Sequence, residues 1–400
     1  MRILNISAQR PDSTGSGVYL TQLVHGQLAR GNEACVLCGL PSGEPFPSSL
    51  SPSEVRAVRF DSEELPFHVC GMSDSMPYPA TRYRDLSDGQ LQAFAGAFKR
   101  EIAKAVDEFN PDVVVSHHLY IVTAIAASII RDRPVVGVCH STGLRQLARN
   151  GPERDFVIKG IGNLDMVLCL HDAQREEVER VFSLPPERTM AVGVGFDSSV
   201  FHPGDPSERI PRHVLYAGKI CRAKGVESLL RACELLKDDQ SCDPFSLELA
   251  GGGEGEEFAD LVQRSCALPF SRYVGKLDQG SLAARYRQAQ VYVLPSFFEG
   301  LPLTVVEALA SGCVVVCTDL PGIRSWICGR VPNAPVTWVK PPRMAGVGVP
   351  VEEDLPAFER RLAQAMRQAL LVRPTCVDAS AASWSSVSDL VCEVLARLVQ

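Results

Sequence analysis

Strand-like and helix-like segments alternate along almost the whole chain, and this alternation restricts the fold more than any other feature. Short apolar runs such as RILNIS (2–7) and VYVLPS (291–296) are typical of buried strands, and residues 88–109 and 225–237 carry apolar side chains at helical spacing. Repeated strand–helix units of this kind build a parallel sheet with helices on both faces. The pattern therefore predicts an α/β protein with doubly wound sheets.

The alternation is interrupted at residues 197–212, where Pro, Gly and polar residues replace the periodic pattern. A chain of 400 residues is long for one core and suits two domains of ordinary size. We predict two Rossmann-like halves that face each other across a cleft, with domains at 1–196 and 213–382 joined by the linker 197–212. Residues 41–87 are rich in Pro, Ser and charge, and no element is predicted there.

Charge and cysteine usage narrow the class of protein. The net charge of −7 argues against a dedicated nucleic-acid-binding protein, which is basic overall. Neither a signal-peptide pattern nor the roughly 18 apolar residues of a transmembrane helix occurs. We expect a cytoplasmic protein, in which YPATRYRD (78–85) is a solvated loop or, alternatively, a peripheral contact with an anionic membrane face.

The fourteen scattered cysteines, with Cys35 and Cys38 as the one CxxC pair, predict buried free thiols rather than a zinc site.

The stretch PSFFEGLPLTVVEALASG (295–312) places Glu299 in a turn and Glu307 in the following helix. The turn follows a buried strand, so it lies at the carboxyl edge of a sheet, where doubly wound folds bind ligands. Free N–H groups at the helix start suit a diphosphate, and the two carboxylates can accept hydrogen bonds from a hexose and a ribose. Together these are the parts of a nucleotide sugar. The alternative is a turn residue and a helix-surface charge, which the apolar neighbours of Glu307 disfavour.

This stretch resembles the E-x7-E signature of retaining glycosyltransferases with the GT-B fold, especially the large family 4. Other motifs follow in the family's order. YAGKICRAKGVESLL (216–230) resembles the loop that clamps the donor's diphosphate, where Lys224 matches the family's lysine and Lys219 replaces its usual arginine. The replacement keeps the charge but loses a bidentate contact, for which Arg222 could compensate. Residues 383–400 resemble a final helix that crosses back to the first domain.

In the first half, DSTGSGVY (12–19) resembles the family's glycine loop. It is not a dinucleotide fingerprint, because leucine occupies the third glycine position of G-x-G-x-x-G. His140 ends the strand PVVGVCH and matches a histidine that the family places beside the donor sugar. His117 and His118 end the preceding strand and are interpreted as lining the acceptor side, with a structural role as the alternative. His171 is interpreted as structural or as a helix cap.

The resemblance implies two sets of site residues. The catalytic set consists of His140, Lys219, Lys224 and Glu299. The donor-binding set consists of Gly15, Gly17, Gly218, Arg222, Gly251, Gly252, Gly300, Leu301, Pro302, Leu303, Thr304 and Glu307. The D-x-D motif with which metal-dependent glycosyltransferases hold a divalent ion is absent from the sequence, so neither a metal nor a cofactor is expected.

These observations predict a retaining glycosyltransferase that moves a hexosyl unit from a nucleotide diphosphate sugar to an unidentified acceptor. UDP is the expected nucleotide, and the acceptor is expected to be a saccharide, a lipid-linked molecule or a small molecule. A nucleotide-sugar epimerase of the same fold and a non-catalytic nucleotide-sugar-binding protein are the alternatives. The resemblance weakens between residues 324 and 353, and no site residue is predicted there.

Overall fold

The structure is a computed structural model that describes residues 1–11, 13–48, 50, 55–73, 76–149, 151–240 and 242–400. It consists of two compact units: Met1–Val194 together with Trp384–Gln400, and Gly195–Ser383. The segment predicted as a linker, 197–212, lies within the second unit. The physical reason is that Phe201 is buried there, with its ring centroid 6.0 Å from that of Tyr286.

The first unit is built on a seven-stranded parallel sheet. Its strands are β1 (Arg2–Ser7), β2 (Glu33–Pro41), β3 (Val55–Phe60), β4 (Val113–His117), β5 (Val135–Val138), β6 (Met166–Cys169) and β7 (Thr189–Ala191). Its helices are α1 (Gly15–Ala29), α2 (Asp88–Phe109), α3 (Ile121–Ile129), α4 (Thr142–Ala148), α5 (Arg154–Ile161) and α6 (Asp172–Phe182). The strand order β3-β2-β1-β4-β5-β6-β7 is doubly wound, as the alternating pattern predicts.

Helix α2 has the bounds that its periodic pattern predicts. Ser87 and Gln90 form a capping box at its start, and Asn110 ends it in the left-handed conformation with φ of 44°. On its buried face, Phe94 and Phe98 lie 6.1 and 6.4 Å from the ring of Phe60 in β3. Local capping and core packing therefore favour the same helix.

The described residues of the segment 41–87 form more secondary structure than its composition indicates. It contains β3 and a short parallel pairing of Cys70–Gly71 with Thr81–Arg82. The predicted solvated loop at 78–85 is wrong for Tyr83, whose ring is buried and lies 5.0 Å from the ring of Tyr120. Of this stretch, the charged Arg82 and Arg84 remain exposed.

The second unit repeats the architecture with a six-stranded parallel sheet. Its strands are β8 (Ile210–Ala217), β9 (Ser246–Ala250), β10 (Ser271–Gly275), β11 (Ala289–Leu294), β12 (Val314–Thr318) and β13 (Val336–Val339), in the order β10-β9-β8-β11-β12-β13. Its helices are α7 (Val226–Asp238), α8 (Gly255–Ala267), α9 (Gln279–Gln288), α10 (Leu303–Ala310), α11 (Ile323–Arg330) and α12 (Leu355–Leu371). A small hairpin, β14 (Met344–Gly346) and β15 (Val349–Pro350), follows the sheet.

The last helix, α13 (Trp384–Val399), belongs to the first unit, as predicted. It lies against α1, where a Cβ placed on Gly26 would be 2.1 Å from the Ser388 hydroxyl oxygen. Only glycine allows the two helices to approach this closely. Arg30, the C-cap residue of α1, also pairs with Asp389 at 2.5 Å. No helix within the described part of the chain is long and apolar enough to cross a membrane.

Candidate active site

The carboxyl edge of the second sheet is formed by the clamp loop (218–225) and the glycine turn (251–253). These two loops touch through their backbones: the Ile220 N–H donates to the Gly252 carbonyl at 2.8 Å. Gly251 has φ of 144°, and a Cβ there would lie 1.8 Å from the Gly218 carbonyl oxygen. A side chain is therefore excluded at Gly251, and Gly218, Gly251 and Gly252 lie together.

A third loop, the acidic turn (295–300), packs against the clamp loop. The Phe297 N–H donates to the Ala223 carbonyl at 3.1 Å. Gly225 has φ of 69°, and a Cβ there would lie 2.0 Å from the Pro295 carbonyl oxygen. This contact explains why the sequence needs glycine directly after Lys224.

Lys224 and Glu299 are paired across these two loops. The Lys224 ammonium lies 2.7 Å from Glu299 Oε1, which also accepts a hydrogen bond from the Ser296 hydroxyl at 2.7 Å. The Lys224 side chain is 29% exposed and the Glu299 side chain 12%. The structure thus brings together a lysine predicted for the diphosphate and a carboxylate predicted for the sugar, although 75 positions separate them in sequence (299 − 224 = 75).

The two other cations of the clamp loop are more exposed. The main-chain carbonyl of Lys219 accepts a hydrogen bond from the Tyr216 hydroxyl at 2.7 Å, which fixes the loop but leaves the side chain exposed. Arg222 Nε lies 2.9 Å from Glu227 Oε2 in α7. Compensation by Arg222 for the missing arginine at 219 stays a prediction, and it would require Arg222 to leave this partner.

Helix α10 follows the acidic turn through Gly300, Leu301 and Pro302. Pro302 is its N-cap residue, and no side chain caps the helix, so the N–H groups of Leu303 and Thr304 at its start can meet an anion. Glu307, one turn further on, is only 8% exposed. Burial raises the pKa of Glu307 to about 7, although the Tyr286 hydroxyl 3.5 Å away acts in the opposite direction. The alternative of a helix-surface charge at Glu307 is therefore wrong.

At the corresponding edge of the first sheet, three histidines form a cluster. Nδ1 of His117 lies 3.1 Å from Nε2 of His140, and the two ring planes are inclined by 12° with their centroids 5.4 Å apart. Nδ1 of His118 lies 3.0 Å from the Thr142 hydroxyl, and its ring centroid is 4.7 Å from that of His140. The structure therefore joins all three sequence-predicted histidines, which come from the ends of β4 and β5.

Of the histidine cluster, His117 and His118 are buried, whereas His140 is partly exposed. Burial lowers the pKa of His117 and of His118 to about 3, and it lowers the pKa of His140 well below its ordinary value. His118 and Ser141, the residues that follow His117 and His140, have φ of 70° and 66°. Left-handed backbone at non-glycine residues costs about 1–3 kcal/mol and is concentrated at functional sites.

Two aromatic residues near the histidines are missing from the sequence-based prediction. The ring centroid of Tyr19 in α1 lies 5.1 Å from that of His140 and 5.1 Å from that of Trp384 in α13, edge-to-face in both cases. Burial raises the pKa of the Tyr19 phenol. In the sequence, the one indication for Tyr19 is its place at the end of the motif DSTGSGVY. Trp384 lies near it because α13 packs against the first unit.

The remaining residues predicted in the first half lie at the starts of helices. Gly15 and Gly17 lie in the first turn of α1, where the Thr14 side chain accepts a hydrogen bond from the Gly17 N–H at 3.1 Å. Asp12 of the same motif lies outside the described residues. His171 is a helix cap, as predicted, because its Nδ1 accepts a hydrogen bond from the Gln174 N–H at the start of α6.

The segment 324–353, where the resemblance weakens, contributes the hairpin to this region. Gly348 at its tip faces the acidic turn, since a Cβ there would be 3.5 Å from the Cβ of Phe298. A pocket of about 420 Å³ lies between the hairpin, Arg222 and α12.

Within the described ranges, no group of three or more histidine, cysteine or acidic side chains is arranged to hold a metal ion. The cysteines are free thiols; Cys35 and Cys38 are buried, whereas others such as Cys376 are exposed.

Two family models together match most of the chain. The model described as "Glycosyltransferase Family 4" matches residues 13–200, and that described as "Glycosyl transferases group 1" matches residues 211–343. The chain belongs to glycosyltransferase family 4. The two matched ranges contain the histidine cluster and the E-x7-E turn, respectively.

Individual members and solved structures resemble this glycosyltransferase over nearly its full length. A D-inositol 3-phosphate glycosyltransferase of Jonesia denitrificans is 27% identical over 390 residues, with 88% of each chain covered. Sucrose-phosphate synthase from Thermosynechococcus elongatus matches with a TM-score of 0.67 and 19% identity over 100% of this chain and 99% of that one. Anabaena HepE in complex with UDP matches with a TM-score of 0.64 and 14% identity over 100% of both chains. These structures show the GT-B fold.

Proposed function

We propose that this family 4 member is a retaining glycosyltransferase that moves a hexosyl unit from a nucleotide diphosphate sugar to an acceptor. The observation that carries the proposal is the convergence of Lys224, Glu299 and the uncapped start of α10 at one sheet edge. A fixed cation and free helix N–H groups favour a diphosphate, and a half-buried carboxylate favours sugar hydroxyls.

The Lys224–Glu299 pair indicates how the donor would enter. Each group neutralises the other at 2.7 Å. A diphosphate would offer Lys224 a doubly charged partner, and Glu299 would then accept hydrogen bonds from the hexose. Lys219 would neutralise the same phosphates from the exposed side of the clamp loop, and Glu307 would accept hydrogen bonds from the ribose.

The described site offers no evident nucleophile. Retention is therefore proposed from the family resemblance alone. The bond between the sugar's anomeric carbon and the diphosphate breaks as the bond to the acceptor oxygen forms on the same face. The departing phosphate oxygen takes the acceptor's proton, so no protein base and no metal ion are required. The lysines and the N–H groups of α10 stabilise the charge that develops on this phosphate.

UDP is the nucleotide that we propose, supported by the UDP bound in the HepE structure. The acceptor stays open among saccharides, lipid-linked molecules and small molecules. In the proposal His140 contacts the donor sugar, and His117 and His118 belong to the acceptor side. Since all three are neutral, they would act as hydrogen-bonding groups rather than as charges.

Incubation with a panel of nucleotide sugars tests this function against the alternatives. Release of free nucleotide supports transfer or hydrolysis. NMR of the product should then show that the configuration at the anomeric carbon is retained. An altered sugar on intact nucleotide would identify an epimerase. Binding without turnover, for every donor and with a mixture of candidate acceptors, would identify a non-catalytic binding protein.

A further inference from the structure

The hydrogen bond between His117 and His140 determines which ring nitrogen of His140 can meet a ligand. Nε2 of His140 is 3.1 Å from Nδ1 of His117. His117 pairs in register with Val138, the last residue of β5, and His140 follows two residues later. Nδ1 of His140 has no hydrogen bond within the described residues. It is therefore the nitrogen that remains available.

The shared hydrogen bond holds one proton, which leaves two arrangements of the neutral pair. If His140 donated from Nε2, His117 would carry its own proton on Nε2, a buried atom without a partner in the described part of the chain. A buried N–H without an acceptor is rare in folded proteins, because burial removes the hydrogen bond that water would accept from it. If His117 donates from Nδ1 instead, only a lone pair is left there, and His140 carries its proton on Nδ1.

We propose that His117 is a positioning residue that holds His140 as the Nδ1–H tautomer, so that His140 donates a hydrogen bond to an oxygen atom of the bound donor. The role toward the donor rests on the proposed function, whereas the tautomer does not. A sugar hydroxyl can accept this bond, and so can a phosphate, which has no proton of its own to offer in return.

The aromatic neighbours support the proposal because they restrict the orientation of the ring. Tyr19 lies against His140 at an interplanar angle of 81°, and His117 holds the Nε2 edge of the ring through the hydrogen bond at 3.1 Å. A flip of the His140 ring would move Nε2 away from His117 and break their hydrogen bond. The geometry thus fixes both the direction and the proton position of one side chain.

The test is ¹⁵N NMR of the full chain, without donor, labelled at the ring nitrogens of its eight histidines. We expect a pyrrole-type Nδ1 and a pyridine-type Nε2 for His140, assigned through a His140→Asn variant. His117→Asn should retain this pattern, because an asparagine amide can donate from nearly the position of Nδ1. In His117→Phe the two nitrogen types of His140 should interchange or average. His25→Gln, on the exposed side of α1, is the matched control.

Kinetics provide a second arm. His117→Phe should lower kcat/KM for the donor about tenfold, the equivalent of one hydrogen bond, and His117→Asn should stay within about threefold of wild type. A wild-type spectrum that places the proton of His140 on Nε2 overturns the proposal. This result does not depend on whether the His117 variants fold. An unchanged His140 pattern in folded His117→Phe also overturns the proposal. Failure to find any transferred sugar would overturn the proposed function and leave the tautomer result standing.

Discussion

The two groups of candidate residues hold their polar atoms in opposite ways. Lys224 and Glu299 of the second unit are charged, paired and partly open to solvent. His117 and His118 of the first unit are neutral and almost fully buried. The first arrangement can exchange partners when an anion arrives, whereas the second offers fixed donors and acceptors. Charge compensation is thus concentrated in one unit and orientation in the other.

The contrast extends to the pH dependence of stability. The pKa of His117 is lowered to about 3, so the unfolded chain binds more protons between about 3 and 6.5, and this histidine lowers the unfolding free energy as the pH falls. The pKa of Glu307 is raised to about 7, so the folded chain binds more protons above 4.5, and this carboxylate lowers the unfolding free energy as the pH rises toward 7.

The largest expected effect is that of Glu299→Gln. The hydrogen bonds from the hexose to the wild-type Glu299 carboxylate should tighten as positive charge develops on the sugar. The substitution should therefore lower kcat about 100-fold, equivalent to about 3 kcal/mol. Discrimination between donors that are epimeric at one hydroxyl should also decrease. Steady-state kinetics with two epimeric donors measure both effects. An unchanged kcat in a folded variant would remove Glu299 from the catalytic set.

Lys224→Ala should come second, because its loss affects binding more than chemistry. We expect donor affinity to weaken by about 1.5–3 kcal/mol, roughly 10- to 150-fold, measured by calorimetry with the nucleoside diphosphate. Lys237→Ala, an exposed lysine at the end of α7, is the control. Since Lys224 also neutralises Glu299, the double variant Lys224→Ala/Glu299→Gln should lose less donor affinity than the sum of the two single losses. Strict additivity would show that the pair does not matter energetically.

Glu307→Gln should raise the donor KM about tenfold and change kcat little, because ribose contacts are similar in the ground and transition states. In the wild type, KM should rise as the pH falls below about 7, because the protonated carboxyl loses acceptor capacity. A nucleotide sugar keeps its diphosphate charge in this range. The variant should show a flat profile between pH 5.5 and 8, and a retained slope would assign the titration to another group.

The sequence predicts best those features that depend on local pattern. The bounds of α2 follow from its periodicity and capping residues, and the position of Glu299 and Glu307 follows from a turn between a strand and a helix. The carboxyl edges of parallel strands bring such turns together, which is why the sequence predicts His140 and the pair His117–His118 at the ends of two successive strands.

Features that depend on long-range packing could not be predicted. The partner of Glu299 is 75 positions away, and Trp384 reaches Tyr19 only because the final helix returns to the first unit. The burial of Tyr83 arises from neighbours on α2 and beside α3 that no local pattern links to it. Composition alone therefore suggested solvent where the fold supplies an aromatic core.

The histidine cluster should contribute no inflection to the pH profile of kcat between pH 5.5 and 8. Burial lowers the pKa of His117 and of His118 to about 3 and lowers that of His140 well below its ordinary value, so we expect their protonation state to stay the same. The measurement is best made in Glu307→Gln, which removes the titration of Glu307 from this window. An inflection near pH 6.5 that disappears in His140→Asn would show that the cluster is charged during turnover, and the contrast between the units would fail.

The smallest expected effect is that of metal removal, which should leave the rate unchanged. Metal-dependent glycosyltransferases place a divalent ion on the leaving diphosphate, and here Lys219, Lys224 and the N–H groups of α10 are proposed to supply that compensation. The rate at saturating donor should therefore be the same with and without EDTA. Because an added ion can also bind the donor itself, the comparison needs metal-stripped donor and a titration with magnesium and manganese. Complete loss of activity with EDTA, restored by either ion, would show that the lysines do not suffice, and the assignment of charge compensation to the second unit's own side chains would be wrong.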